Sequence, residues 1–339
     1  MDIQLSKPET RNSKLEAFSR RLMIEKKAEK NLVAELKLVP GLKVKISEPL
    51  ARYTSIKIGG PADYFLEAES RAALSQTLQL LDRYGVSFYL LGKGSNVLVS
   101  DLGVRGAVLH LGREFQQMEW REEDGKVLVT VGAAYPVTRL VREAVRRGYR
   151  GLEFAEGIPG SVGGALVMNA GAYGSEMEKI VDRVEGVSRK GEPVHLDRRE
   201  MVFSYRDAHL PSGTIVTQVR IRLEKGKVEE TRLKLRELVA RRKKSQPSGY
   251  PNSGSMFRNP PGDFAGRLIE AAELKGKRIG KAEISQRHAN FIVNLGGARA
   301  EDVRGLMEMA RKEVKKIFGI EMEPEVRLLG EWPSSSLGE

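Results

Sequence analysis

The sequence predicts a mixed α+β fold with more than one domain. Its 339 residues exceed the size at which one hydrophobic core stops growing, about 250–300 residues. The middle of the chain consists of short apolar runs separated by glycines, which indicates strands and turns. The C-terminal third carries longer segments with apolar residues at helical spacing. Internal repeats are absent from the sequence.

The N-terminal elements predict a polar helical extension followed by strands and one helix. Residues 1 to about 35 are the extension. The next run, "GLKVKISEPLARYTSIKIGGPADYFLEA", alternates and breaks at Gly59-Gly60-Pro61, which indicates strands around a turn. The run "SRAALSQTLQLLDRYG" predicts a helix with Ser70 as N-cap and Gly85 at its end. "VSFYLLG" then predicts a strand that leads directly to Gly92.

The remaining elements follow the same two patterns. Short strands are predicted for "GAVLHLG", "KVLVTVGAA", "GALVMNAGA" and "GTIVTQVRIRLE", with one helix among them, "YPVTRLVREAVRRG". Three further helices are predicted for "VEETRLKLRELVARRKK", "DFAGRLIEAAEL" and "AEDVRGLMEMARKEVKKIFG", around the strand candidates "KRIGKAEIS" and "NFIVNLG".

The composition excludes several classes of chemistry. The sequence has no cysteine, which excludes disulfides, thiolate catalysis and cysteine-held metals. Four histidines are few for a metal site, so no metal is predicted. The sequence also has no apolar run typical of a signal peptide or a transmembrane helix, so we predict a cytoplasmic protein without membrane contact. The net charge of +12 alone would suggest nucleic-acid binding, but aromatic residues are only 6%, and solvated helix faces also explain the charge.

A glycine loop interrupts the apolar run near residue 92. Gly92-Lys93-Gly94-Ser95-Asn96 lets the backbone turn sharply, and its N–H groups could bind an anion such as a pyrophosphate. The spacing matches neither the P-loop nor the Rossmann fingerprint, and an ordinary tight turn is the alternative. A second segment, Glu156 to Met177, holds six glycines, which indicates close approach of the backbone to a flat or charged ligand, or tight packing between sheets.

Seven segments in order resemble the UDP-N-acetylenolpyruvoylglucosamine reductase family. They are "TSIKIGGPADYF", "LLGKGSNVLVSD", "GIPGSVGGALVMNAGAYGSE", "FSYRDAHL", "NSGSMFRNP", "QRHANFIVN" and "EPEVRLLGEW". The resemblance covers roughly residues 42–332. Tyr250 is the last tyrosine, so the chain looks like the second type of this family, which lacks a tyrosine-bearing loop.

The resemblance implies a fold, a domain order and a cofactor. The fold is the FAD-binding fold of the vanillyl-alcohol oxidase type in two subdomains, residues 36–103 and 104–225, preceded by the extension 1–35. A substrate-binding domain, 226–320, and a C-terminal segment, 321–339, follow. The implied reaction uses FAD and NADPH to reduce UDP-N-acetylglucosamine enolpyruvate to UDP-N-acetylmuramate. The expected partner is this small-molecule substrate; we expect no nucleic-acid partner, no membrane partner and a monomer.

The resemblance also implies three catalytic residues. Hydride addition at C3 of the enol ether pushes negative charge onto its carboxylate, which needs fixed positive charge nearby. Arg206 matches the family's arginine for this role. Glu325 matches its glutamate and should have a raised pKa, whereas Glu323 is the weaker candidate. Ser255 matches the serine that protonates C2, with Ser253 two residues away.

The remaining implied residues contact the cofactor or the substrate. The FAD contacts are Gly92, Lys93, Gly94, Ser95, Asn96, Ile158, Pro159, Gly160, Ser161, Gly163, Gly164, Asn169, Gly171 and Tyr173. The substrate contacts are Tyr205, Lys243 or Lys244, Asn259, His288 and Asn290, and a buried structural role is the alternative for His288. Another oxidase with the same flavin fold would usually tether FAD through His or Cys, and neither glycine segment contains either residue.

Overall fold

The chain folds into several β-sheets with helices packed against them. The computed structural model describes residues 29–123 and 125–332. The helices are α1 (residues 29–38), α2 (Arg71–Arg83), α3 (Val137–Arg146), α4 (Val162–Val167), α5 (Val228–Ser245), α6 (Ala265–Ala271) and α7 (Ala300–Phe318). Short 3-10 helices are Leu50–Tyr53, Arg113–Gln116, Glu153–Ala155, Met177–Lys179 and Arg198–Glu200.

The strands are short, as their glycine-punctuated sequence predicts. They are β1 (Leu42–Pro49), β2 (Pro61–Ala68), β3 (Phe88–Leu90), β4 (Val97–Val99), β5 (Val104–Leu111), β6 (Met118–Glu123), β7 (Lys126–Gly132), β8 (Tyr149–Arg150), β9 (Gly171–Ala172), β10 (Ser175–Glu176), β11 (Val181–Val187), β12 (Pro193–Asp197), β13 (Ile215–Lys225), β14 (Asn252–Ser255), β15 (Arg278–Ile279), β16 (Ala282–Ile284), β17 (Phe291–Asn294) and β18 (Arg327–Leu329).

The first sheet has the strand order β1-β2-β5-β3. Strands β1 and β2 are antiparallel, whereas β5 runs parallel to both β2 and β3. Helix α2 packs on this sheet through Leu74, Leu78 and Leu81, which are fully buried and share one helical face. The Ser70 hydroxyl accepts a hydrogen bond from the N–H of Ala73, so the predicted N-cap is confirmed.

The second sheet has the order β12-β11-β13-β7-β6, with β8 pairing on β13. One hydrophobic core joins it to the first sheet. The prediction of a strand throughout "GALVMNAGA" was wrong, because its first four residues belong to α4 and only Gly171–Ala172 at its end form a strand, β9. Val162, Ala165 and Leu166 are buried at helical spacing, and Ser161 caps the helix by accepting from the N–H of Gly164.

The third sheet, β14-β17-β16-β15, packs against α6 and α7 around a separate hydrophobic core. The predicted strand "KRIGKAEIS" forms two strands, β15 and β16, that turn at Gly280, whose φ is +52°. In α7, Val303, Met307 and Val314 are buried on one face, as the apolar spacing predicts.

The C-terminal strand returns to the first glycine loop. Strand β18 pairs in parallel with β4, so the residues just before β18 lie beside residues 92–96. This return brings Glu325 next to Asn96, whose Nδ2 donates to the Glu325 carbonyl at 3.1 Å. Residues about 230 positions apart therefore share one site.

The N-terminal part of the chain only partly tests the predicted extension. Leu32 and Leu36 of α1 are buried in the core shared by the first two sheets, whereas residues 1–28 of the predicted extension lie outside the described residues. The predicted domain boundaries stay predictions.

Over residues 29–123 and 125–332, no helix combines the length and the apolar character that a membrane span needs. The same residues contain no group of three His, Asp or Glu side chains arranged to hold a metal ion.

Candidate active site

A cavity of about 740 Å³ lies where the glycine loops meet the C-terminal half of the chain. Its walls come from the loop before β4, the segment from residue 158 to residue 173, the turn at Arg206, the end of β14, and residues 325–329. The volume lies in the range of cavities that bind cofactors and small molecules.

The first glycine loop is held by its neighbours and leaves its own donors free. The Gly94 carbonyl accepts from the N–H of Ser55 at 2.9 Å. Gly94 has φ +60°, and a Cβ atom there would lie 2.1 Å from the carbonyl oxygen of Tyr53, so only glycine fits. No backbone carbonyl among the described residues accepts from the N–H groups of residues 92–96. Because these residues line the cavity, this donor set fits a pyrophosphate.

The second glycine segment forms the facing wall. Ile158, Pro159, Gly160, Ser161, Gly163, Gly164, Gly171 and Tyr173 all line the cavity, as the predicted cofactor contacts should. Gly163 is in close contact with the end of β7, because a Cβ atom there would lie 2.8 Å from the Cβ of Ala133. Asn169 is different, since it is fully buried and does not line the cavity.

Arg206 extends into the cavity from a tight turn. Ser204 and Asp207 bond to each other through their backbones, and Arg206 between them has φ +62°. Its Nε donates to Glu325 Oε1 at 3.0 Å, and one terminal nitrogen donates to the Gly171 carbonyl at 3.3 Å. The guanidinium is therefore fixed from two sides, with its side chain only 21% exposed.

Glu325 is a largely buried carboxyl beside this guanidinium, with its side chain 14% exposed. Burial raises its pKa above the ordinary value, and the positive charges of Arg206 and Arg258 oppose that shift. The direction agrees with the sequence prediction. Glu323 instead has a side chain that is 75% exposed and lies 4.0 Å from Arg258. The structure therefore brings Glu325, and not Glu323, to Arg206.

The two candidate serines of β14 differ in their surroundings. Ser253 is buried, and its hydroxyl donates to the Val97 carbonyl at 3.0 Å. Both serines line the cavity, but the Ser255 hydroxyl has no hydrogen-bond partner among the described residues. The backbone that follows Ser255 is tied to the C-terminal segment, because the Met256 carbonyl accepts from the N–H of Glu325 at 2.8 Å. Ser255 and Glu325 are therefore held on adjacent backbone.

Comparison with known proteins agrees with this geometry. Residues 246–329 match the family described as UDP-N-acetylenolpyruvoylglucosamine reductase, C-terminal domain, and residues 62–197 match the FAD binding domain family. The UDP-N-acetylenolpyruvoylglucosamine reductase 2 of Symbiobacterium thermophilum is 45% identical over 295 residues, which cover 87% of this chain and 94% of that protein. The chain belongs to the UDP-N-acetylenolpyruvoylglucosamine reductase family.

Two further relatives support membership of this reductase family. The reductase of Rubrobacter xylanophilus is 45% identical over 290 residues, 85% of this chain and 95% of that protein. The crystal structure of the reductase from Thermus caldophilus matches with a TM-score of 0.74 at 39% identity, covering 85% of this chain and 99% of that chain. These matches confirm the predicted FAD-binding fold and the prediction of an FAD-dependent oxidoreductase of this family.

Several predicted substrate contacts lie outside the cavity of this reductase. Lys243 and Lys244 are exposed near the end of α5, and Tyr205 is exposed with the Arg206 guanidinium carbon 4.9 Å from its ring centre. Asn259 accepts from the N–H of Ala265 at the start of α6. None of these side chains lines the cavity described by residues 29–123 and 125–332.

His288 and Asn290 support the reductase site from behind. The amide of Asn290 is buried and bonds to both the N–H and the carbonyl of Phe257, which fixes the backbone two residues after Ser255. His288 packs edge-on against Phe291, and burial lowers its pKa. Neither residue lines the cavity, so the structural alternative for His288 matches its placement.

Arg242, a half-buried cation that lines the cavity, was not among the predicted site residues. Its guanidinium donates to the Glu156 carbonyl at 3.0 Å and to the Gln246 side chain at 2.9 Å. No carboxylate among the described residues lies within ion-pair distance of it, and burial lowers its pKa. The spacing contained the signal, because Arg242 follows the buried Leu238 by four residues and so shares its helix face.

Proposed function

We propose that this chain catalyses the NADPH-dependent reduction of UDP-N-acetylglucosamine enolpyruvate to UDP-N-acetylmuramate, a step of peptidoglycan precursor synthesis. One observation carries the proposal: Arg206, Glu325 and Ser255 line the same cavity as both glycine segments. Acid–base groups and a cofactor cradle therefore share one enclosed volume.

The two glycine segments would hold FAD along the cavity. Residues 92–96 would hold its pyrophosphate with backbone N–H groups, and residues 158–164 with Gly171 and Tyr173 would line the ring and the ribityl chain. FAD, when bound and reduced by NADPH, supplies the hydride that the enol ether accepts at C3.

Arg206 would bind the carboxylate of the enol ether and stabilise the charge that develops there. Its bonds to Gly171 and Glu325 fix the guanidinium before the substrate enters, so little reorganisation is needed during the reaction. Burial raises the pKa of Glu325, which favours the neutral carboxyl over a carboxylate that would repel the new negative charge.

Ser255 would deliver the proton to C2 of the substrate. A serine hydroxyl is a weak acid, so it needs a neighbour that stabilises its oxygen or a water that restores its proton. Its hydroxyl has no partner among the described residues and is therefore free to turn toward a bound substrate, unlike the hydroxyl of Ser253.

Arg242 would bind the diphosphate of the substrate in place of the predicted Lys243 or Lys244. A cation without a carboxylate partner at the cavity wall is a strong position for a phosphate, because the charge has already lost part of its water. Arginine also binds phosphate through two parallel N–H groups.

The test follows the colour of the purified protein without oxygen. We expect a yellow protein that NADPH bleaches and that regains its colour with UDP-N-acetylglucosamine enolpyruvate, while UDP-N-acetylmuramate appears by mass spectrometry. A protein without flavin that binds DNA or RNA in low salt would instead support the nucleic-acid alternative. The preference for NADPH, the cytoplasmic location and the monomeric state stay predictions.

A further inference from the structure

Asn169 occupies a place that a cofactor contact would not. Its neighbours Met168, Ala170 and Gly171 line the cavity, but Asn169 does not, and its exposed fraction is 0%. Its φ is +37°, a left-handed conformation that asparagine tolerates better than most residues. The side chain therefore points into the protein, behind the cavity wall.

The amide of Asn169 makes two bonds of opposite polarity. Its Nδ2 donates to the Ser204 carbonyl at 3.1 Å, and its Oδ1 accepts from the N–H of Glu178 at 3.0 Å. The Ser204 carbonyl needs a donor and the N–H of Glu178 needs an acceptor, so a carboxylate of the same shape cannot make both bonds.

The Ser204 carbonyl is the start of the turn that carries Arg206. It also accepts from the N–H of Asp207 at 3.1 Å, which closes the turn. Arg206 lies inside that turn with φ +62°, a conformation that a non-glycine residue keeps only when its surroundings enforce it. Asn169 thus joins the Arg206 turn to the glycine segment whose Gly171 carbonyl binds the guanidinium.

We propose that Asn169 is a positioning residue for Arg206 and not an FAD ligand. By holding the Ser204 carbonyl, it sets the distance between the Arg206 turn and the cavity wall, so that the guanidinium reaches Gly171 and Glu325 at once. This inference rests on the proposed function, because Asn169 would act through Arg206, which is proposed to bind the substrate carboxylate.

The experiment compares Asn169→Asp with the parent enzyme in three measurements. These are the FAD content of the purified protein, the anaerobic rate of bleaching by NADPH, and the rate at which the enolpyruvyl substrate restores the colour. A fourth, calorimetric measurement gives the affinity for UDP-N-acetylmuramate and needs no turnover. We expect N169D to slow the recovery step and to weaken product binding by about tenfold or more, with FAD content and bleaching within about twofold of the parent.

Asn294→Asp is the matched control. Asn294 is also buried, and its amide also donates to a carbonyl, that of Ile56, and accepts from the N–H groups of Gly296 and Ala298. It does not line the cavity. We expect N294D to lose stability as N169D does but to keep the parent ratio of recovery rate to bleaching rate.

A coupling measurement separates positioning from general damage. In an Arg206→Ala background, Asn169→Asp should cause little further loss of recovery rate or product affinity, because the residue it positions is gone. If N169D does not fold, Asn169→Gly takes its place, since glycine accepts φ +37° and removes both side-chain bonds.

Three outcomes would overturn the inference. The first is loss of FAD, which would favour the predicted cofactor contact. The second is an equal fall of both half-reactions, and the third is full additivity with Arg206→Ala. A parent enzyme that the enolpyruvyl substrate does not reoxidise would contradict the proposed function itself, so the two failures are distinguishable.

Discussion

Exchanging the two serines of β14 for alanine, one at a time, should separate catalysis from stability. Ser253 and Ser255 lie two residues apart in the same strand, on either side of Gly254, whose φ is +75°. Among the described residues, the Ser253 hydroxyl has a hydrogen-bond partner, the Val97 carbonyl at 3.0 Å, and the Ser255 hydroxyl has none. The two variants should therefore lose different properties.

The structure sets the size of each effect. Ser253→Ala removes the hydroxyl that donates to the partly buried Val97 carbonyl, which should lower the free energy of unfolding by about 1 kcal/mol. Ser255→Ala removes a hydroxyl with no partner among the described residues, so the free energy of unfolding should change by no more than about 0.5 kcal/mol. Loss of a general acid should instead lower turnover by about 10²–10⁴-fold.

Urea unfolding and anaerobic reoxidation measure the two effects separately. Ser255→Ala should still be bleached by NADPH but should recover its colour slowly, and Ser255→Cys should regain part of the rate because a thiol can donate a proton. Ser253→Ala should recover at nearly the parent rate. Equal turnover of Ser255→Ala and the parent would refute the assignment of the proton donor, and so would a larger loss in Ser253→Ala.

Three further predictions concern the diphosphate, the first glycine loop and the buried carboxyl. Arg242→Gln should raise KM by about tenfold or more with a smaller change in kcat, as expected for a contact that binds substrate and transition state equally. The control, Lys243→Gln, should change neither constant. Steady-state kinetics in which Lys243→Gln raises KM and Arg242→Gln does not would instead support the predicted lysine contact. Gly94→Ala should lose FAD, measured by flavin absorbance per chain, because its Cβ would meet backbone, whereas Gly85→Ala, with a similar φ and open space, should keep FAD and lose only about 1–2 kcal/mol of stability. Folding raises the pKa of Glu325, so its contribution to stability is present below about pH 4.5, the ordinary Glu value, and is lost as pH rises through the raised pKa. Glu325→Gln should therefore gain stability relative to the parent as pH rises above about 4.5 in urea titrations, and a difference that does not depend on pH would contradict the burial argument.

The sequence was sufficient for elements whose pattern is local. Helix α2 follows from its apolar spacing and its serine cap, and the long apolar face of α7 follows in the same way. Helix α4 did not follow, because glycine-rich "VGGALV" has low helical propensity and is helical only through its cap and its packing on β7. Local preference was overridden there by tertiary contacts.

The candidate site shows the same difference between local sequence pattern and tertiary contact. The glycine loops, Arg206, Ser255 and Glu325 could be predicted because their motifs are contiguous, and the structure gathers them around one cavity. The inward direction of Asn169 could not be predicted, since it depends on a turn 35 residues away. The choice among Arg242, Lys243 and Lys244 depends on which face of α5 is buried. The run of basic residues does not indicate that face, whereas the four-residue spacing from the buried Leu238 does.

A crystal structure with FAD and UDP-N-acetylglucosamine enolpyruvate bound would decide whether Arg206 binds the substrate carboxylate. We expect the Arg206 guanidinium to lie about 2.7–2.9 Å from the enolpyruvyl carboxylate while it keeps its contact with Glu325. A substrate carboxylate bound elsewhere, with Arg206 turned toward solvent, would contradict it.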